Sequence, residues 1–234
     1  MFDFTIYNES ANSKGILVTQ RPSIPAPKRR INTYEVPGMN GVLTTDENTF
    51  EPIEIPINCN FMAEPDKITK KWREVKSFLL QGGITELFFS DDEEAFYKVQ
   101  SVNLSNESRT SKQIISFAVN CQCSPFTYLS SGKNEVPLPT QIENSFYQAE
   151  PIYKFFGEGI FKLSVNSNDF QINVAQNATI DIEKKLVFRD DGILVNQNSS
   201  GDMAGLILNH GVNNIEVTVP DGGSALIIPC WRSL

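Results

Sequence analysis

The chain has 234 residues, 40% of them apolar, with four cysteines, one histidine and a formal net charge of −8. A domain takes about 100–200 residues, so this length allows one or two. The apolar content excludes a disordered chain or a disulfide-stapled mini-protein. The acidic balance argues against a general nucleic-acid binder, which presents a dominant basic surface, and no stretch approaches the ~18 apolar residues of a membrane span.

The N-terminal MFDFTIYNES carries acids and no apolar run, so it is not a secretory signal and the chain is expected to begin inside a cell. Asn-x-Ser/Thr triplets such as those at Asn8 and Asn177 then have no glycosylation to receive. Phe2, Phe4 and Ile6 alternate with Asp3 and Thr5, which predicts a first strand, and Lys14 to Thr19 predicts a second. Arg21 to Phe50 follows, too long for an ordinary connection, since loops beyond about 12–15 residues usually have a job. Its first third is Pro-rich and basic (Arg21, Lys28, Arg29, Arg30) and is expected to run extended. Tyr34 and Val36, the turn signal Pro37-Gly38-Met39-Asn40-Gly41, and then Val42 and Leu43 read as strand, turn, strand. A long projecting arm has few ways to be stable alone, so it is read as an oligomerisation device, against the plainer reading of a mobile surface loop.

Ile53 to Phe61 is the clearest strand of the chain, and Pro52 and Pro56 place it at a sheet edge or a bulge. The period then changes to that of a helix. Pro65 suits a first turn, Ile68, Trp72, Val75 and Leu79 share a stripe, Lys67, Lys70, Arg73 and Lys76 lie off it as a solvated face, and Gly82-Gly83 stops the element. Ile84 to Phe89 and Phe96 to Leu104 form a predicted hairpin around the acidic turn Asp91 to Glu94, and Ile114 to Cys123 closes the first half. Cys59, Cys121 and Cys123 fall in phase with apolar faces and read as buried thiols. They lack the C-x2-C or His partners of a zinc site, and a disulfide does not suit a reducing compartment.

Ser130 to Pro139 has linker chemistry, giving two expected domains, 1–132 and 133–234. The second half has short apolar runs every 8–12 residues, the pattern of a sandwich: Ile152–Phe156, Ile160–Val165, Phe170–Val174, Thr179–Ile182, Leu186–Phe188, Ile193–Val195, Leu206–Leu208, Asn213–Val219 and Ala225–Ile228. The expected fold class is mainly β. No G-x-S-x-G elbow, P-loop, G-x-G-x-x-G or H-E-x-x-H occurs. His210 lies in a turn, and the acids cluster in turns (Asp91 to Glu94, Asp190-Asp191), where solvent keeps them ionised rather than raising a catalytic pKa. No catalytic residue, metal or cofactor is expected.

The ordered set of short motifs resembles the distal tail protein (Dit) family of long, non-contractile-tailed phages that infect Gram-positive bacteria. The matching residues are Arg21-Pro22-x-Ile24-Pro25, Val36-Pro37-Gly38-x-x-Gly41, the alternating strand through Phe61 and the helix after it. In the second half they are Pro151-Ile152, Gly157-Glu158-Gly159, Val165-Asn166, Ile180-Asp181, Asp191-Gly192, Gly201-Asp202-Met203, Gly211-Val212-Asn213-x-Ile215 and Pro229-Cys230-Trp231-Arg232. Met203 departs from the aromatic often found there, and the inserted carbohydrate-binding module of some relatives is missing. The resemblance implies a tail-tube-like β domain with one helix and a galectin-like β-sandwich. It implies six copies in a ring around a channel at the tail tip, a virion component assembled in the host cytoplasm. The implied partners are the tail tube protein, the tail-associated lysin or tail fibre protein, and also a receptor-binding protein and the tape measure protein. The resemblance implies no membrane partner and contact with DNA only in transit, which the acidic charge suits. The arm would then close the ring by a heterologous interface and strand addition, through Arg29, Arg30, Tyr34, Val36, Pro37, Gly38, Met39, Gly41 and Leu43. The competing expectation is a carbohydrate-binding protein that holds host cell-wall sugars in the second-half sandwich.

Overall fold

Period-two alternation becomes sheet where one face can be buried, and it does so along most of this chain. The structure, a computed structural model, describes residues 2–109 and 111–234. It is mainly β, with one α-helix, Ile68–Leu79, among the described residues. Two compact units divide it, one running up to Thr127 together with Leu234 and the other spanning Tyr128–Ser233.

In the first unit the strands lie in the order Glu9–Ser10, Phe4–Ile6, Thr85–Phe89, Asp92–Leu104, Ile114–Leu129, Ile53–Met62 and Ile16–Val18. The longest ladder pairs Ile53–Met62 with Ile114–Leu129, from Met62 opposite Ile114 to Ile53 opposite Cys123. Ile53, Ile55, Ile57, Cys59 and Phe61 are buried on one strand, and Ile115, Phe117, Val119, Cys121 and Cys123 on the other. The helix covers that face with Ile68, Trp72, Val75, Phe78 and Leu79. The Trp72 ring lies 4.8 Å from that of Phe117 and 5.8 Å from that of Phe61. The core stripe of the helix therefore includes Phe78 beside the four residues its sequence spacing picked out. The helix ends before Gly82 and Gly83, both at positive φ, as a chain turning out of a helix requires.

Three local expectations change. The Ile53–Met62 strand is interior rather than at an edge, because Ile16–Val18 pairs with its Cys59–Phe61 end. Pro56 is tolerated because that neighbour stops at Cys59, so the missing proline N–H deprives no second strand. The acidic segment is mostly strand: Phe89 pairs with Asp92 across Ser90-Asp91, and Asp92, Glu93 and Glu94 already belong to Asp92–Leu104. Ser130–Pro139 is ordered, with a 3-10 turn at Ser130–Lys133 and a short strand at Val136–Pro137. Gly132 is buried there, and a Cβ on it would meet the Trp231 backbone nitrogen at 2.3 Å.

The second unit stacks two five-stranded antiparallel sheets. One runs Val136–Pro137, Ser224–Ile228, Ile152–Phe156, Asn177–Asp181, Leu186–Phe188, and the other Gln141–Asn144, Gly211–Thr218, Gly159–Val165, Asn168–Val174, Ser199–Gly201. Inward residues of both sheets form one core, and the rings of Phe155 and Phe161 meet across it at 5.2 Å. Two expected strands are absent. After the Asp191-Gly192 turn, Ile193 and Leu194 are exposed and make only one isolated bridge, Phe188 to Leu194. Leu206 and Leu208 are buried as core residues at the end of a 3-10 turn.

Asparagine side chains hold the turns of this unit. Asn213, fully buried, donates to the carbonyls of Asn209 (2.8 Å) and Gly211 (3.0 Å) and accepts from the Asn166 amide (2.7 Å). Asn144, also fully buried, donates to the carbonyls of Tyr147 and Leu208. These bonds satisfy backbone groups that leave the ladders at loops.

Candidate functional site

No constellation with the geometry of a catalytic centre appears among the described residues, nor a group of three or more His, Cys, Asp or Glu placed to hold a metal ion. His210 is exposed, and its Nδ1 lies 3.0 Å from the carbonyl of Phe146. Only a protonated Nδ1 can donate there. Burial pushes the Cys59 and Cys121 thiols up to about 12 and raises Cys123 as well, so none carries the thiolate that reactivity needs. Cys230 is half-buried with positive φ. The acidic hairpin turn is engaged locally, with Arg21 paired to Asp91 at 2.9 Å and lying over the Phe2 ring.

The feature that stands apart is the segment after Ile16. No residue between Ile16 and Ile53 is buried, yet the stretch contains two strands, Arg29–Tyr34 and Leu43–Phe50. Arg29–Tyr34 and Leu43–Phe50 pair only with each other, as a two-stranded antiparallel sheet. The register runs Tyr34 to Leu43, Thr33 to Thr44, Asn32 to Thr45 and Ile31 to Asp46, with a bulge between Arg29 and Ile31. Arg29 and Arg30, read from sequence as part of the extended basic third, are strand residues.

The arm is built in two parts. At its base, Glu51 donates its backbone N–H to the Lys28 carbonyl at 2.8 Å, Arg29 pairs with Asp46 and lies over the Phe50 ring, and Phe50 packs edge-on against Phe126 at 5.9 Å. Asp46 also accepts from the Asn48 backbone N–H at 2.8 Å. That bond and the Arg29 guanidinium hold its carboxyl below the ordinary carboxylate range. Asn32 donates to Glu47 at 2.6 Å, with Arg30 at 3.9 Å from the same carboxylate.

Toward the tip the chemistry turns apolar. Tyr34 and Leu43 face each other, each 52% exposed, and Ile31, Val36, Met39 and Val42 are also open to solvent. The connection between the strands holds one backbone bond, Met39 N–H to the Val36 carbonyl. Gly38 and Gly41 have φ of +84° and +95°, which the reversal of direction there needs and which glycine accepts without strain. A lone two-stranded hairpin is marginally stable in water, and contiguous exposed apolar side chains mark interaction sites. Of the residues expected to make the contact, Tyr34, Val36, Pro37, Gly38, Met39, Gly41 and Leu43 gather at the exposed end. Arg29 and Arg30 are engaged within the base. Ile31 and Val42 join the exposed set. Ile31 has a polar cross-strand partner, Asp46, so nothing in its neighbourhood marks it from sequence.

A second surface lies in the other unit. An open groove of about 660 Å³ crosses the outer face of the sheet containing Gly159–Val165, lined by side chains that include Lys162, Ser164, Asp169, Gln171, Glu216 and Thr218. Its one aromatic residue, Phe170, is buried in the core, so no ring is offered for stacking. Trp231 packs on the core of the same unit, and Phe155, Phe161 and Phe170 are core residues.

No family model matches the chain, and no curated protein does. Among solved structures, the chain matches the SPP1 Dit protein, described as a paradigm of the hub adsorption apparatus in phages that infect Gram-positive bacteria. The match covers 100% of both chains with a TM-score of 0.73 at 12% identity. Over its whole length, the chain has the fold of that Dit protein.

Proposed function

We propose that this chain is a distal tail protein, a non-enzymatic hub of a phage tail tip. The observation that carries the reading is the fold shared end to end with the SPP1 hub protein, and the exposed arm supports it. In this reading residues 1–132 form a tail-tube-like domain with one helix, and residues 133–234 a galectin-like sandwich. Six copies close a ring around a channel that DNA crosses in transit. Each arm lays its apolar tip, with Tyr34, Val36, Met39, Val42 and Leu43, on the neighbouring copy, and the free strand edges of the arm extend that contact by strand addition. A heterologous contact repeated by rotation closes a ring. The ring joins the tail tube protein to the tail-associated lysin or fibre protein, with receptor-binding and tape measure proteins as further partners. It resides in the virion after assembly in the host cytoplasm.

The carbohydrate reading is the weaker one. The groove around Lys162 and Gln171 has polar groups for hydroxyls but lacks the aromatic platform on which sugars stack. Micromolar glycan binding by the full chain would reverse that ranking.

Light scattering with negative-stain microscopy tests the ring. The chain is expected to form hexameric rings, alone or on the tube or tip protein, and deletion of Ile31 to Thr49 is expected to leave a folded protein that no longer does. Hexamers from the deleted form would overturn the role of the arm. A monomer that joins neither tail partner would overturn the hub reading.

A further inference from the structure

The arm tip carries the chain's one Asn-Gly pair, Asn40-Gly41. Many asparagines elsewhere are fixed by their own side chains: Asn144, Asn166, Asn168, Asn196 and Asn213 all donate to or accept from nearby groups. Asn40 is exposed, and neither its side chain nor the Gly41 N–H makes a hydrogen bond among the described residues. Gly41 has no Cβ to shield its nitrogen, a Cβ built there would meet nothing within 4 Å, and the connection it sits in is tied by a single backbone bond. A side-chain amide carbon, a neighbouring unshielded backbone nitrogen and local freedom to bring them together are what intramolecular attack requires.

We propose that Asn40-Gly41 is a self-modification site. The Gly41 nitrogen attacks Asn40 Cγ and gives its proton up to water. The bond from Cγ to the amide nitrogen breaks, ammonia leaves, and a five-membered succinimide remains. Water then opens the ring at either carbonyl, giving aspartate or isoaspartate at position 40. No oxidant or cofactor enters, and water is the only co-reactant. Both products place a new negative charge between the apolar Met39 and Val42, and isoaspartate also lengthens the backbone by one carbon. If the tip makes the ring contact proposed above, the free chain ages toward an assembly-incompetent form and assembly protects it.

Peptide mapping by mass spectrometry, after warming the full chain in mildly alkaline H2(18)O, tests the site. Position 40 is expected to take up one heavy oxygen and to appear as two isomeric peptides, several-fold faster than Asn12 and Asn198, each of which precedes a serine. Gly41→Ala is expected to slow it several-fold. Conversion at Asn40 no faster than at Asn12 and Asn198 would overturn the proposal, as would an unchanged rate in Gly41→Ala. The mass of the residue-40 peptide reads the site and particle size reads the ring, so either can fail without the other.

Discussion

Two antiparallel ladders in the same unit, the arm and the Ile53–Met62/Ile114–Leu129 pair, follow the same hydrogen-bonding rules and reach opposite outcomes. The central ladder alternates strictly, with every second residue at 5% exposure or less from Ile53 to Phe61. The arm has Thr44, Thr45, Asp46, Glu47 and Asn48 in succession, and every residue of Leu43–Thr49 is exposed. Backbone pairing alone does not decide where a strand goes, since its net contribution is modest once exchange with water is counted. Burial decides, at roughly 25 cal/mol per Å² of apolar surface. The arm leaves its apolar tip, including Tyr34, Met39 and Leu43, exposed within its own chain, and that is the surface the proposed contact with a neighbouring copy would use.

Truncations break that comparison most sharply. Trp72→Ala removes the ring that bridges Phe61 and Phe117, and large-to-small changes of this kind cost about 3–5 kcal/mol. Tyr34→Ala and Leu43→Ala are expected to change chain stability by less than about 0.5 kcal/mol, as surface substitutions do, while particle size falls. Urea unfolding and light scattering on the same samples separate the two effects. A large stability loss in Leu43→Ala would mean the arm belongs to the core after all.

The contrast extends to charged and polar groups. Arg232 is 6% exposed, donates from Nε to the Gln148 carbonyl at 2.6 Å and pairs with Glu150 at 2.7 Å. Removing one partner of a buried pair costs about 3–5 kcal/mol. The Glu150 side chain stays 32% exposed, which lowers the expectation for Arg232→Met to about 2–3 kcal/mol. Tyr153, fully buried, donates its hydroxyl to the Leu206 carbonyl at 3.0 Å, and burial raises its pKa well above the ordinary range. Tyr153→Phe leaves that carbonyl without its donor at a cost of about 1 kcal/mol. Thermal unfolding of both variants ranks them, and the reverse order would show that Glu150 is solvated when left alone.

Much of this architecture was legible in the sequence, and what was missed has a common cause. Strands with one buried face, such as Ile53–Met62 and Asn168–Val174, announce themselves because alternation and burial coincide. Gln141–Asn144 and Ser199–Gly201 are outermost strands of their sheet. Their sequences, QIEN and SSG, carry no apolar alternation, so pairing defines them. Ile193–Val195 fails the other way, as an apolar run stranded outside the ladders by a turn that Asp191 ties through the Ile193 N–H. The arm was legible as a hairpin from its proline and glycine pattern. Its split into a polar, self-paired base and an apolar tip was not, because Arg29 finds Asp46 only once the bulge sets the register.

The smallest expected effect lies at that base. Asp46 has a folded-state pKa below its ordinary value, held there first by the Asn48 N–H and then by Arg29. A depressed carboxylate pKa contributes to the structure above the unfolded pKa, and the contribution is lost as pH falls through the folded value. The base is therefore closed at neutral pH and opens only below the ordinary carboxylate range. The group is fully solvent-exposed, so the effect is local: the amides of Arg29 and Asn48 should shift in NMR spectra while those of the central ladder stay still. Asp46→Asn keeps the shape of the side chain but not its charge, and should show the loosened amides already at neutral pH. If acid shifted the Ile53–Met62 amides together with those of Asn48, the arm would be coupled to the core, and the contrast between the two ladders would be one of degree only.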